Sequence, residues 1–299
     1  MSGLLTNKTA LVTNVSTKLG YAIAQRLGFA GANVFISDAH DQKLRKSVHG
    51  LKELGLNVAG AVVDVTDPKH REQLFEEVDK KFNGLDVLVV NPLVNTQKGA
   101  ILDSTKMDFD KTYNQILTTP FKLAKSAVPL LEKSSNGSIV FISSIAGFSP
   151  FEDIGLYSAA QTGLLGLVKA SAISLAQRKI RVNSVSLGMM RDDASGGFWT
   201  TADDDQLAQL SQVIPLGRVA KNTDSTALIE FLASDRASYI TGENCIVNDE
   251  DHSASGQLVP SSTPDFGGRI HGQKRLGAGT REKGVQNRRR SRYHRERRN

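Results

Sequence analysis

Short apolar runs alternate with helix-length segments along most of this 299-residue chain. The runs are rich in Val and Ile, and they lie at Thr9–Val12, Asn33–Ser37, Asn57–Val63, Val87–Val90, Ser138–Ile142, Arg181–Val185 and Asn244–Val247. Between them, helical patterns extend over Asp41–Leu54, Pro68–Phe82, Phe109–Leu131 and Gly155–Leu175. Strands that are apolar throughout are typical of parallel sheets covered on both faces, and their crossovers are right-handed. The alternation therefore predicts an α/β fold with a doubly wound parallel sheet of about seven strands and helices on both faces.

The positive charge of the chain is concentrated at its carboxyl end. The net charge is +6, yet residues 261–299 carry 12 Lys and Arg against 3 Asp and Glu, so the preceding part is mildly acidic. This end is rich in Gly, Ser, Arg and Asn and poor in large apolar residues, which leaves little burial to offset the entropy of ordering. We expect one globular domain over residues 1–256 and a basic, disordered tail over residues 257–299.

Two arginine-rich blocks, Arg288–Arg292 and Arg295–Arg298, lie in that tail. Dense basic blocks bind phosphates by releasing counterions, and they can serve as nuclear localisation signals. We expect weak, salt-dependent association of the tail with polyanions or nucleic acid. The alternative is a solvated extension without a role of its own.

The cysteine content and the length of the apolar runs indicate in which cellular compartment the protein is expected. Cys245 is the single cysteine, which excludes an intramolecular disulfide and suits a reducing compartment. No apolar run reaches the ~18 residues of a membrane span, and the residues before the first strand lack the features of a signal peptide. The six histidines show no metal-ligand spacing. We expect a cytoplasmic protein without a metal or a membrane association, with nuclear entry through the tail as an alternative.

Several short motifs follow the strands in a fixed order. The first strand leads into Thr13–Gly20, which resembles the T-G-x-x-x-G-x-G turn of short-chain dehydrogenases/reductases. The later motifs are Asp64-Val65, Asn91, Ser143-Ser144 with Tyr157, Ile180–Asn183 and Tyr239–Gly242. Six motifs in this order and spacing, over about Thr6–Val247, make the resemblance to that family strong. The chain looks most like the vertebrate branch of NADP(H)-dependent carbonyl and retinol reductases, family members two and four.

The resemblance implies a fold, a cofactor and a substrate class. It implies a Rossmann-type domain that binds NAD(H) or NADP(H) and interconverts a small apolar carbonyl compound and its alcohol. Family members commonly form homo-oligomers through the two long helices, here those at Phe109 and Gly155. By position, the cofactor-binding residues would be Thr13, Asn14, Lys18, Leu19, Gly20, Asp38, Asp64, Val65, Asn91, Gln161 and Gly188.

The turn after the first strand departs from the family at two of its three glycines. Asn14 replaces the glycine that permits the tight turn, and Lys18 replaces the one that lets the backbone approach the pyrophosphate. Asn tolerates a left-handed backbone, whereas Lys18 places a side chain where a phosphate would rest, unless it swings out and pairs with that phosphate. Pro92 and Leu93 also replace the Ala-Gly that follows Asn91 in the family. We expect reduced dinucleotide affinity.

The acid at the end of the second strand bears on the choice of cofactor. Asp38 would accept the adenosine ribose hydroxyls and repel a 2′-phosphate. The NADP-preferring branch has a basic residue at the next position, where this chain has Ala39. We therefore expect NAD(H) to be favoured, against the alternative that Asp38 only caps the following turn.

Two of the four catalytic positions of the family are kept. Ser144 would donate a hydrogen bond to the substrate oxygen, and Tyr157 would pass the proton. The Lys position, four residues after the tyrosine, is Gln161, which is neutral and cannot lower the pKa of a tyrosine from ~10. The Asn position aligns with Ile116, which cannot hold the water of the proton relay.

The segment after the sixth strand also differs from the family. The family's Pro-Gly is Leu187-Gly188, and the nearby Thr that contacts the carboxamide is Asp192. Within the lid segment, Phe198 and Trp199 would either line a pocket for an apolar substrate or pack against the core.

Three interpretations of function remain open from the sequence. The leading one is an oxidoreductase scaffold with impaired cofactor binding and catalysis. The second is an active NAD(P)(H)-dependent carbonyl reductase or alcohol dehydrogenase that tolerates these substitutions. The third is a non-catalytic binding or regulatory protein whose tail contacts polyanions.

Overall fold

Seven parallel strands form one sheet in the computed structural model, which describes residues 3–92, 98–188, 190, 211–212 and 214–248. The strand order is β3-β2-β1-β4-β5-β6-β7, as expected for a doubly wound sheet. The strands are β1 (Thr9–Thr13), β2 (Asn33–Asp38), β3 (Val58–Val62), β4 (Val87–Val90), β5 (Gly137–Ser144), β6 (Ile180–Leu187) and β7 (Asn244–Val247). The predicted fold class is confirmed, and every predicted strand lies within two residues of its observed ends.

Helices cover both faces of the sheet in the described part of the chain. They are α1 (Lys18–Phe29), α2 (Asp41–Glu53), α3 (Pro68–Phe82), α4 (Lys106–Tyr113), α5 (Thr119–Leu131), α6 (Gly155–Leu175) and α7 (Asn222–Ala233). Successive residues of a strand point to opposite faces, so β5 divides its side chains between two cores. Ile139 and Phe141 join the core under α3, α5 and α6, while Val140 and Ile142 join the core under α1, α2 and α7.

The predicted single helix over Phe109–Leu131 is wrong in two respects. The helical segment begins earlier, at Lys106, and a π-helical turn over Asn114–Thr118 separates α4 from α5. The Thr119 N–H donates to the Asn114 carbonyl, five residues back. Pro120 follows directly and has no N–H to donate to the carbonyl of Ile116, so a regular α-helical ladder could not run through this point.

The strand order reverses between β1 and β4, and this reversal positions the site. Both neighbours of β1 are parallel to it, with β2 on one side and β4 on the other. The chain leaves β1 and β4 at the same edge of the sheet, through Asn14 and Asn91. In open α/β sheets, ligands bind in the crevice at this switch point.

One helix bears on the expectation of no membrane span. Gly155–Arg178 is long and apolar enough to cross a bilayer by length and composition, although the sequence was expected to contain no such run. The core helices of water-soluble folds also reach this length and apolar composition. Tyr157, Leu164 and Val168 of this helix lie in the core against the sheet. The predicted domain boundary at residue 256 and the basic tail lie outside the described residues.

Candidate active site

The segment that links β1 to α1 is a tight turn, which we call the β1 turn (Asn14–Thr17). Asn14 has a φ of 52°, so it occupies the left-handed region that the family's first glycine would take without strain. Thr17 caps α1, because its Oγ1 accepts a hydrogen bond from the Gly20 N–H at 3.0 Å and donates to the Asn14 carbonyl at 3.0 Å. The turn therefore keeps the shape that its glycine-rich counterpart would have.

Gly20 is required by the closeness of α1 to the β1 turn. A Cβ at this position would lie 2.5 Å from the Asn14 carbonyl oxygen and 2.9 Å from the Cα of Val15. Leu19 beside it is buried in the core under α1. Lys18, at the start of α1, is exposed. Gly20 thus allows α1 to pack closely on the β1 turn, while the second glycine position holds an exposed lysine.

Asn91 joins the end of β4 to the β1 turn. Its Nδ2 donates to the Asn14 carbonyl at 3.2 Å and to Thr17 Oγ1 at 3.0 Å, while its own carbonyl accepts from Asn14 Nδ2 at 2.5 Å. Its backbone N–H donates to Thr13 Oγ1 at 3.0 Å. Asn91 is buried, so these bonds are shielded from water. The side chain of Asn14 takes part in this reciprocal pair, which a glycine could not do.

Asp38 is almost fully buried at the end of β2, with 3% of its surface exposed. Its Oδ2 accepts from the Ser16 N–H at 2.9 Å, and its Oδ1 accepts from the His40 N–H at 2.9 Å and faces His40 Nδ1 at 3.2 Å. Burial alone would raise the pKa of this carboxyl, but the hydrogen bonds from Ser16 and His40 outweigh it and hold the pKa below its ordinary value. Asp38 is therefore an anion that also braces the β1 turn.

The segment after β3 carries the next two predicted positions. Val65 is buried in the core, whereas Asp64 is exposed and its Oδ1 accepts from the N–H and the hydroxyl of Thr66 at 2.9 and 2.7 Å. The buried Arg71 donates through Nη1 to the carbonyls of Val65 and Thr66, each at 2.8 Å. Arg71 thus holds this segment against the start of α3.

The polar groups around the end of β5 and the start of α6 form what we call the catalytic edge (Ser143, Ser144, Tyr157 and Gln161). Ser144 ends β5, and its Oγ accepts from the Ala146 N–H at 3.2 Å, so its own hydroxyl hydrogen can still be donated to a ligand. The next turn of chain packs closely on α6, because a Cβ at Gly147 would lie 3.0 Å from the carbonyl carbon of Gln161. The β5 end and α6 are thereby fixed to each other.

Gln161 is the residue predicted to replace the family's catalytic lysine. Only 1% of its surface is exposed, and its Oε1 accepts from Ser143 Oγ at 2.9 Å. Tyr157 lies one helical turn earlier on α6 and is buried in the core under that helix. The catalytic edge therefore contains a neutral, buried and hydrogen-bonded amide one helical turn from Tyr157.

Ile116 is the residue predicted to replace the family's catalytic asparagine. It lies in the π-helical turn between α4 and α5 and is fully buried in the same core as Tyr157. Extra turns of this kind are frequent at functional sites. The π-helical turn is present here, but the Ile116 side chain within it is apolar and cannot bind a water molecule.

The side chain of Asn248, which was not predicted as a site residue, lies over the segment after β6. The Gly188 N–H donates to the Val247 carbonyl at 3.0 Å. A Cβ at Gly188 would lie 1.9 Å from Asn248 Oδ1, so the asparagine side chain would have to move to admit a larger residue. Leu93, Asp192, Phe198 and Trp199 lie outside the described residues.

Two further expectations concern metals and the cysteine. Within residues 3–92, 98–188 and 214–248, no group of three or more His, Cys, Asp or Glu side chains could hold a metal ion. Cys245 is half-buried, and burial followed by the charge of Glu243 raises the pKa of its thiol. A protonated thiol is a poor nucleophile, which agrees with a packing role for this residue.

Four residues that form hydrogen bonds in the site were not predicted as site residues: Ser16, Thr17, His40 and Ser143. Thr17 had a usable signal, because a threonine before a helix is a common N-cap. Ser16 and His40 contact Asp38 only because the β1 turn folds over the end of β2. Ser143 meets Gln161 only through the packing of β5 on α6, which no local pattern reveals.

Comparisons with known proteins agree with this geometry. Residues 15–249 match the family described as enoyl-(acyl carrier protein) reductase. Human dehydrogenase/reductase SDR family member 4 is 38% identical over 243 residues, which cover 81% of this chain and 87% of that protein. Human dehydrogenase/reductase SDR family member 2, mitochondrial, is 34% identical over 245 residues, which cover 82% of this chain and 86% of that protein.

Solved structures extend the same similarity to the fold. A short chain dehydrogenase from Mycobacterium smegmatis has a TM-score of 0.72 at 30% identity, covering 83% of this chain and 95% of that one. An actinorhodin polyketide ketoreductase solved with NADPH has a TM-score of 0.75 at 25% identity, covering 83% of this chain and 98% of that one.

Proposed function

The chain belongs to the short-chain dehydrogenase/reductase family of oxidoreductases, and from this premise we propose that it is a reductase scaffold whose catalysis is impaired. The reaction class is the NAD(P)(H)-linked interconversion of a small apolar carbonyl compound and its alcohol. The substitutions lie where the reaction needs charge and proton transfer, and the residues that build the fold are kept.

The observation that carries this proposal is that the side chain of Gln161 is neutral and buried. A lysine at this position would place a positive charge one helical turn from Tyr157 and favour the tyrosinate. Gln161 has no charge, and its Oε1 is held by Ser143 Oγ at 2.9 Å in a buried position. Because Ile116 also removes the water-binding asparagine, the proton path lacks two of its four groups.

The residues along the β1 turn fit a dinucleotide better than those of the catalytic edge do. The left-handed Asn14 and the close approach at Gly20 preserve a backbone cradle, and the α1 amino terminus favours anions. Thr13, Asn14, Lys18 and Asp38 would hold the adenosine and pyrophosphate half, and Gln161 the nicotinamide ribose. When bound, the nicotinamide supplies or accepts the hydride. Weakened affinity is proposed because Lys18 replaces bare backbone.

We also propose that NADH binds more tightly than NADPH. Asp38 stays ionised, since its hydrogen bonds hold its pKa low, and its charge repels a 2′-phosphate. Calorimetry should give the smaller Kd for NADH, and Asp38→Ala should narrow the difference. Tighter binding of NADPH by the unmodified protein at neutral pH would remove this proposal.

Pairing of two copies through α5 and α6 is a further part of the proposal. Family members often form oligomers, and Ile173 on α6 is 80% exposed in a helix that is largely apolar. Sedimentation should give a dimer for the unmodified protein and a larger monomer fraction for Ile173→Asp.

Turnover on a panel of small aromatic aldehydes and ketones tests the main proposal. With either reduced nucleotide, the kcat of the unmodified protein should exceed that of Tyr157→Phe by less than about tenfold. A tyrosine whose ionisation is favoured by a neighbouring lysine would contribute about 10²–10⁴-fold through acid–base catalysis. Ser144→Ala serves as the matched control at the substrate oxygen. Robust turnover that Tyr157→Phe abolishes would favour the active carbonyl reductase instead.

A further inference from the structure

One buried hydrogen bond joins β5 to α6 at the carboxyl end of the sheet. The Ser143 hydroxyl donates to Gln161 Oε1 at 2.9 Å. Ser143 is 4% exposed and Gln161 is 1% exposed, so water does not compete for this bond. The bond therefore holds the oxygen end of the Gln161 carboxamide against β5.

The nitrogen end of the same carboxamide is available. Within the described residues, Gln161 Nε2 has no hydrogen-bond partner, and it is not one of the fully enclosed polar atoms that lack one. Oxygen and nitrogen diverge from the same carbon of a planar group, so holding Oε1 against β5 directs Nε2 away from that strand. Gln161 therefore keeps two N–H donors for a ligand, while its oxygen is engaged by Ser143.

The chemistry of a carboxamide makes its orientation important. A lysine ammonium carries three rotatable donors and needs no neighbour to select among them. A carboxamide has a donor end and an acceptor end, and its last torsion is broad and roughly two-fold, so a glutamine that nothing holds can present either end. An orienting neighbour is therefore of use to Gln161 and would be of none to a lysine.

We propose that Ser143 is a positioning residue of the nucleotide site. By holding Gln161 Oε1, Ser143 keeps the two N–H groups of Gln161 directed at the nicotinamide ribose, whose hydroxyl oxygens accept hydrogen bonds. The inference rests on the proposed function in that a dinucleotide lies in the crevice with this ribose at Gln161. Ser143 acts through Gln161 and does not touch the ligand.

A second buried serine provides a matched comparison. Ser186 on β6 is in register with Ser143 on β5, so both side chains point to the face of the sheet that α6 covers. Ser186 is fully buried, and its Oγ has no hydrogen-bond partner in the part of the chain that the structure describes. The two serines therefore share residue type, face and burial, and they differ in the bond to Gln161.

The test measures how much the second ribose adds to nucleotide binding, and it needs no turnover. ADP-ribose and ADP differ by that ribose, and both are titrated by NMR up to millimolar ligand. The variants are Ser143→Ala, Ser186→Ala, Gln161→Met, and Ser143→Ala combined with Gln161→Met. The two ligands also differ in charge, but this difference is common to all variants. Melting temperatures report separately whether a variant has lost stability.

We expect the unmodified protein and Ser186→Ala to show the same preference for ADP-ribose over ADP. Ser143→Ala should lower that preference by about three- to tenfold and leave the Kd for ADP unchanged, because one oriented hydrogen bond is lost. Gln161→Met should lower it at least as much. Adding Ser143→Ala to Gln161→Met should lower it no further, because the two residues act as a unit.

An unchanged preference in Ser143→Ala would overturn the inference. An equal loss in Ser186→Ala, an equal weakening of both ligands, an additive effect in the double variant, or binding of neither ligand by the unmodified protein would also overturn it. Failure of the proposed function would be seen separately, as robust turnover that Tyr157→Phe abolishes in the carbonyl assay, and it would leave the ligand preference unaffected.

Discussion

The β1 turn and the catalytic edge have both lost residues that their family uses, but the losses have different structural consequences. At the β1 turn, Asn14 adopts the left-handed backbone of a glycine and adds a hydrogen bond to Asn91. At the catalytic edge, Gln161 fills the place of a lysine and is held by Ser143 without supplying its charge. One region keeps a backbone conformation that a glycine would adopt, while the other keeps its packing around a neutral side chain.

The difference follows from what each region is made of. A nucleotide cradle consists mainly of backbone geometry and N–H groups, so any residue that accepts the required φ can preserve it. Proton transfer depends on particular side chains with matched charges, and a neutral amide cannot replace an ammonium group. We therefore expect substitution to affect the catalytic edge more than the β1 turn, and five measurements bear on this contrast.

The largest loss of stability is expected from Gly20→Ala. The added Cβ would lie 2.5 Å from the Asn14 carbonyl oxygen, and neither backbone segment can move without disturbing α1. We expect the free energy of unfolding to fall by about 3 kcal/mol, measured by urea denaturation. Gly166→Ala is the matched control, because its Cβ would meet nothing within 4 Å and should stabilise α6 by up to about 1 kcal/mol. Equal effects at the two positions would show that the β1 turn adapts freely.

Gln161→Lys should cost stability without restoring turnover. A lysine at a position with 1% exposure is desolvated, which lowers its pKa by about two units and costs on the order of 3 kcal/mol at neutral pH. Because that cost applies when the lysine is charged, the loss should shrink as the pH rises towards 10. Denaturation at pH 7 and pH 9.5 checks this, with Gln161→Met as the neutral control. Recovery of kcat by Gln161→Lys alone would mean that Ile116 does not limit the reaction.

Two substitutions at Asn14 separate backbone geometry from hydrogen bonding. Asn14→Val should lower the free energy of unfolding by roughly 2 kcal/mol, because a β-branched residue resists the φ of 52° and the bond to Asn91 is lost. Asn14→Gly loses the same bond but fits the backbone, so the loss should be within about 1 kcal/mol. If the two variants were equally destabilised, the side-chain pair with Asn91 would be the dominant contribution.

Asp38→Asn should change the acid dependence of stability. The folded-state pKa of Asp38 lies below its ordinary value of 3.8, so its ionised form stabilises the fold above that pH and the contribution is lost as the pH falls through the folded value. The unmodified protein should therefore be more stable than Asp38→Asn at pH 7, by about 1–2 kcal/mol, and the difference should shrink below pH 4. A difference that stays constant from pH 7 to pH 2.5 would contradict the bracing role.

Removal of the tail should have the smallest effect on either region. Truncation after Gly256 removes sequence with few large apolar residues, so the melting temperature should change by less than about 2 °C. Heparin or RNA binding at low salt should weaken at the same time, because most of the basic charge is removed. A large drop in melting temperature would mean that the tail packs on the domain.

The sequence predicted the strands and the order of the motifs because both depend on local patterns. Val- and Ile-rich runs such as Val87–Val90 need burial on both faces, and this sets the sheet. The π-helical turn was missed because each half of Phe109–Leu131 shows a helical pattern, and the prediction did not follow the phase of the apolar face across Asn114–Thr118. Pro120 was the available signal for it.

The site was less predictable than the fold because its contacts join distant segments. Asp38 was expected to accept hydrogen bonds from a ribose or to cap a turn. Nothing in the sequence showed that Ser16 and His40 would both donate to its carboxylate. The bond from Ser143 to Gln161 likewise depends on how β5 packs on α6. Such contacts depend on the register between elements, and local propensity does not determine that register.

The π-helical turn makes this stretch sensitive to chain length. Each residue of an α-helix advances the direction of its side chain by about 100°, so the extra residue in Asn114–Thr118 sets the rotational phase of α5 relative to α4. A one-residue deletion there would rotate Leu123, Ala127 and Leu131 away from the core they now fill. The segment can exchange one amino acid for another, as Ile116 illustrates, but an insertion or deletion would turn the buried face of α5 towards solvent.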